Sequence, residues 1–167
     1  MIWKICKHTA LVLGLMLISQ SCGIYSFSGT STTAKSITVN AFFNTGGGPP
    51  NLAQNLTEQL RSYYLQNTRL AVVNDNGELL VEGEIINYQT TPLAPTANDR
   101  AAQTRLTIGV KVRFTNNIAP DEDFEQTFTQ YADFDQGLSL SQVEGQKVQE
   151  ILEKIIFDIF QKTVANW

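Results

Sequence analysis

Apolar residues change their spacing several times along this chain, and each change predicts an element. Ser36-Ile-Thr-Val-Asn-Ala-Phe-Phe43 alternates with period two. It predicts a strand with Ile37 and Val39 on one face, continued by Ala41 and Phe43. Gly46-Gly-Gly-Pro-Pro50 breaks that strand. Leu52, Leu56, Leu60 and Tyr63/Tyr64 then recur at helical spacing, so a helix is expected from about Asn51 to Gln66, with Pro50 or Asn51 at its start. Arg69 to Asn74 reads as a short apolar strand closed by the turn signal Asp75-Asn-Gly77.

Leu79 to about Gln89 predicts a longer strand. Leu79, Val81, Gly83 and Ile85 share one face; Glu82, Glu84 and Tyr88 lie on the other with Leu80 and Ile86. Thr90 to Arg100 holds Pro92 and Pro95 among small polar residues and is expected to be a loop. Thr104 to Thr115 has the cleanest alternation, with Leu106, Ile108, Val110, Val112 and Phe114 inward and Arg105, Thr107, Lys111 and Arg113 outward. After a hairpin loop from Asn116 to Asp123, Phe124 to Phe134 returns as a strand. Phe124, Phe128, Ala132 and Phe134 form its core face; Glu125, Thr127, Thr129 and Tyr131 face out. A long helix closes the chain. Ser141-Gln-Val-Glu144 fits a capping box. Val148, Ile151, Leu152, Ile155, Ile156, Ile159 and Phe160 make its apolar stripe, and Glu150 pairs with Lys154 on the wet side. The economical packing is an α+β two-layer sandwich, a mostly antiparallel sheet with two helices on one face. Its other face is left to water or a partner.

The N-terminus changes this picture. Lys4 and Lys7 precede the apolar run Ala10 to Ile18, and Ser19-Gln-Ser21 supplies small residues. Residues 1–21 are therefore expected to be an export signal. The run is too short for a transmembrane helix of about 20 residues. Ser19-Gln-Ser-Cys22-Gly resembles a bacterial lipobox of the loose Bacteroidetes kind, with Ser19 where a large aliphatic residue is usual; an ordinary secretory signal with an incidental cysteine is the alternative. Residues 22–36 are then a lipidated N-terminus and tether, and 37–167 a single domain. No acidic run follows Cys22. In lipoproteins of that group such a run resembles a surface-export tag, so the periplasmic side of the outer membrane is expected.

The 167 residues carry 12 basic and 16 acidic side chains, a formal net charge of −4. Removing the signal takes Lys4 and Lys7 and no acidic residue, which leaves −6. That balance argues against nucleic acid as a partner. Cys6 and His8 also depart, so with Cys22 acylated the mature chain has no free thiol and no histidine. Ser-His-Asp and Cys-His catalysis and His/Cys zinc sites are thereby excluded. Neither an enzyme nor a cofactor or metal is expected. Arg105, Lys111 and Arg113, with Arg100 in the preceding loop, form a basic stripe on the outer sheet face. It suits phosphate or sugar-acid groups, or else cross-strand pairing with Glu82, Glu84 and Glu125. Gly46-Gly-Gly-Pro-Pro50 lacks the lysine and hydroxyl of a phosphate loop and reads as a connector. Asp121-Glu-Asp123 lacks EF-hand spacing and reads as a solvated hairpin tip. Trp167 is expected to make a helix-end packing contact.

Cys22-Gly-Ile-Tyr-Ser-Phe-Ser-Gly29, Ser36-Ile-Thr-Val-Asn-Ala-Phe-Phe43, Pro49-Pro-Asn-Leu-Ala-Gln-Asn-Leu56 and Leu80-Val-Glu-Gly-Glu-Ile85, in this order, resemble the lipopolysaccharide-assembly lipoprotein family (LptE) in its Bacteroidetes form. The resemblance spans nearly the whole mature chain. It implies a two-helix, sheet-containing lipoprotein seated in the lumen of the outer-membrane β-barrel LptD, where it plugs and helps assemble the translocon and can bind lipopolysaccharide. Arg100, Arg105, Lys111 and Arg113 are candidate contacts by their chemistry. The alternative is a periplasmic adaptor or scaffold of another envelope or secretion complex on a similar fold.

Overall fold

The period-two segments form one sheet, and the two helical stripes cover a single side of it. The computed structural model describes residues 33–94 and 102–164. Cys22, Arg100 and Trp167 lie outside those residues. The elements are β1 (Ser36–Val39), β2 (Phe43–Asn44), α1 (Leu52–Asn67), β3 (Ala71–Val73), β4 (Leu79–Leu93), β5 (Gln103–Asn116), a 3-10 turn (Pro120–Glu122), β6 (Phe124–Asp135) and α2 (Leu140–Val164). Strand order is β3-β1-β4-β5-β6, with β2 beside β4. The long ladders β4–β5 and β5–β6 are antiparallel. The short pairings of β1 with β3 and β4, and of β2 with β4, are parallel. The expected α+β sandwich is thus present, with a mixed sheet.

The core lies between sheet and helices. Leu106, Ile108, Val110, Val112 and Phe114 of β5 are all buried, as are Val148, Ile151, Leu152, Ile155, Ile156, Ile159 and Phe160 of α2. Leu52, Leu56, Leu60 and Tyr64 supply the stripe of α1. The Tyr64 hydroxyl, wholly buried, is 2.6 Å from Thr163 Oγ1 and so ties the two helices together. Burial pushes its pKa up, which keeps it a neutral phenol at physiological pH.

The strand expected over residues 36–43 is broken after Val39. The Asn40 N–H still reaches Val81 O, but the Phe42 N–H donates to Thr57 Oγ1 on α1. The Val39 carbonyl accepts from the Arg61 guanidinium. This kink moves the alternation by one. Phe42, not Phe43, turns into the core, and Phe43 is 72% exposed.

β4 departs from expectation twice. It runs on to Leu93, through what reads as loop at Thr90 to Pro92. Pro92 fits because, among the described residues, this stretch has a partner strand on the β5 side only, and proline is tolerated on a sheet edge. A bulge between Ile85 and Asn87 then reverses the alternation. Tyr88 lands opposite Ile108, on the helix side, where its hydroxyl donates to Glu144 of α2 at 2.5 Å. Burial, then Glu144, pushes the Tyr88 pKa up.

The capping box is also displaced. Ser139, just before α2, donates its N–H to Gln142 Oε1 at 2.8 Å, and its hydroxyl donates to the same oxygen at 2.9 Å. The Ser-x-x-Gln spacing begins two residues before the expected Ser-x-x-Glu, and Glu144 is engaged by Tyr88 instead.

Candidate partner-binding sheet face

On the side away from the helices, register arranges β4, β5 and β6 into rows. Glu82, Arg113 and Glu125 share one row, Glu84, Lys111 and Thr127 the next, and Thr91, Arg105 and Asp133 a distant one. Between them lie Asn87, Gly109 and Thr129, then Gln89, Thr107 and Tyr131. Directly opposed side chains in such rows stand about 5 Å apart, so opposite charges pair.

Every described cation of the basic stripe is paired. Lys111 Nζ is 2.7 Å from Glu125 Oε1. Arg113 reaches Glu125 Oε2 at 3.2 Å and Glu82 Oε1 at 3.5 Å. Lys111 and then Arg113 hold the Glu125 carboxyl below the usual carboxylate range. Arg105 makes a bidentate pair with Asp133 at 2.8 and 2.9 Å, and its guanidinium lies 3.5 Å over the Tyr131 ring. The structure therefore brings Lys111 and Arg113 together and leaves Arg105 about 20 Å from Lys111, six strand residues away. Cross-strand pairing is realised at Glu82 and Glu125. The Glu84 side chain makes no ion pair or hydrogen bond among the described residues. Asp133 is the partner that sequence reading missed, although it continues the outward alternation of Glu125, Thr127, Thr129 and Tyr131.

Arg105 lowers the Asp133 pKa. Because the folded value lies below the unfolded one, the pair contributes above the ordinary carboxylate range and fades as pH falls through the depressed value. Arg105→Met should lower the urea midpoint at pH 7, and the gap to the parent chain should close towards pH 2. A gap of constant size across that range would show that Asp133 is not the group coupled to Arg105.

The remaining motifs serve the fold. Asp123 Oδ1 accepts the Asn116 N–H and Glu122 Oε2 accepts Asn116 Nδ2, so these acids close the β5–β6 hairpin. Gly47 and Gly48 adopt positive φ in the connector after β2, and Gly46 sits against the backbone of Ile86 and Asn87 at the bulge. Among the described residues no three metal-ligating side chains converge. No described helix is long and apolar enough to cross a membrane.

Two helices on one side of a mixed sheet is a fold shared with small lipoproteins of known structure. A minor lipoprotein from Acinetobacter baumannii matches at 14% identity and a TM-score of 0.51, over 78% of this chain and 93% of that one. An uncharacterized lipoprotein B from Nitrosomonas europaea matches at 15% identity and a TM-score of 0.50, over 77% and 81%. At such identities the likeness concerns the fold alone. Residues 34–163 match the model of the lipopolysaccharide-assembly family LptE, and the chain belongs to that family. No curated protein matches it.

Proposed function

We propose that this protein is an outer-membrane lipoprotein that occupies and helps assemble the LptD β-barrel, and so supports insertion of lipopolysaccharide into the outer membrane. The observation that carries the reading is the family match over residues 34–163. The sheet face supports it. The interior of a large membrane barrel is polar and wet, and a face of paired charges, threonines and amides enters such a lumen with little desolvation cost. The role is assembly, not catalysis.

Acylation of Cys22 holds the chain on the periplasmic side of the membrane. Buried methylenes contribute about 0.8 kcal/mol each, and several acyl chains together anchor stably. The thirteen residue-to-residue steps from Cys22 to Lys35 span up to about 45 Å when extended, enough to reach into a barrel lumen. Direct contact with lipopolysaccharide through Arg100, Arg105, Lys111 and Arg113 is the secondary part of the role. An anionic headgroup must there compete with Asp133 and Glu125 for three of the four cations.

A mild-detergent pull-down of the membrane-bound chain through a C-terminal tag tests the reading. The expected result is a large outer-membrane barrel in near-equal amount, lost together with membrane association in Cys22→Ala. Recovery of unrelated envelope proteins alone would overturn it.

A further inference from the structure

The outer sheet face is uneven in its electrostatics. Its described cations are neutralised in place, whereas Glu84 is not. Register sets Glu84 beside Phe43 of β2. With Glu82, Lys111 and Arg113 these two residues border an open depression of about 230 Å3. Phe43, at 72%, is the most exposed large hydrophobic side chain among the described residues.

The fold holds that ring outward. Phe42 is fixed inside by its N–H bond to Thr57, so its neighbour must point the other way. Both Thr45 and Gly46 donate their N–H to Ile85 O, which pins β2 to β4. The aromatic surface is therefore presented on a sheet, in a preset position, and binding has little ordering to do.

We infer that the Phe43–Glu84 corner is a socket for a basic side chain, arginine or lysine, projecting from the wall of the barrel; the inference rests on the barrel reading above. Charge decides the occupant. The depression is lined by Glu82, Glu84 and Glu125 against Lys111 and Arg113, and both cations are already paired. A phosphate entering it would meet a surplus carboxylate. A guanidinium or ammonium would find that carboxylate free and an aromatic face beside it, the two groups that attract such cations. The corner thus selects the opposite charge from the one the basic stripe suggests.

The test uses the full-length lipidated chain, purified in mild detergent, with a photo-crosslinking phenylalanine analogue at position 43. A second chain carries the analogue at position 65, since Leu65 is exposed on α1 in the helix layer. Each is made with Glu84, Glu84→Gln and Glu84→Lys. The expected result is a barrel crosslink from position 43, mapped beside an arginine or lysine. Glu84→Lys should reduce it about fivefold or more, as a repelling charge at a contact does, with a smaller loss in Glu84→Gln and no loss at position 65. Glu84 is not in the core, so thermal midpoints of the variants should match the parent's. If the barrel co-purifies but crosslinks from position 43 are missing or indifferent to Glu84→Lys, the socket is wrong and the barrel reading stands. If no barrel co-purifies with any chain, both fall.

Discussion

Gly83→Val should destabilise the domain by about 3 kcal/mol or more, at the upper end of what overpacking costs. Gly83 lies on the core face of β4, where a Cβ would stand 2.2 Å from the backbone oxygen of Lys111 and 2.9 Å from the Phe42 ring. The first of these contacts is with backbone and has no rotamer to yield. Relief requires β4 to move from β5 or Phe42 to leave the core, and Phe42 is held by Thr57. For a domain of this size about 1 kcal/mol corresponds to roughly 4 °C in thermal midpoint. A loss of about 12 °C in a circular-dichroism melt is therefore expected, with a smaller loss of the same sign for Gly83→Ala. An unchanged midpoint would contradict the packing of Phe42 over Gly83.

The second large effect is expected at Ile155, which is fully buried in the stripe of α2. Ile155→Ala removes side-chain volume from the core shared by helix and sheet, and should cost about 2–5 kcal/mol. Ile155→Val should cost about 1 kcal/mol, since it removes one methylene. Phe157, two residues further along the same helix, is 49% exposed. Phe157→Ala should stay within about 0.5 kcal/mol. Urea midpoints of the three variants decide the matter. Similar losses at 155 and 157 would mean that α2 is rotated about its axis from the orientation described.

The contrast between these two helix positions is legible in the sequence, because it depends on period alone. The apolar stripe of α2 and the alternation of β5 are each long enough to fix one face unambiguously. β6 behaves likewise, down to its exposed Glu125, Thr127, Thr129 and Tyr131. Where an element is short or interrupted, the same reading fails. At residues 36–43 a single kink, held by Thr57 and Arg61 from α1, exchanges the roles of Phe42 and Phe43. At Ile86 a bulge moves Tyr88 to the helix side. Pro92 suggests a loop, since nothing in the sequence says that β4 lacks a neighbour on one side there.

The candidate site divides in the same way. That Arg105, Lys111 and Arg113 share the polar face follows from their even separations, six and two residues, within one strand. Their neutralisation does not, because it needs the register of β4 and β6 against β5. The Phe43–Glu84 corner is hidden from sequence altogether: alternation turns Phe43 inward, and its neighbour Glu84 is forty-one residues away in the chain.

By itself the sequence determined the kinds of element, the core faces of the long ones and the α+β class, since side-chain period and backbone preference are local properties. Tertiary structure alone decided the strand order, the break in β1, the bulge in β4 and which charges pair across the sheet. Those depend on contacts between residues from twelve to some forty positions apart. A one-residue shift in alternation, which no local pattern records, carries a side chain from the core to the solvent.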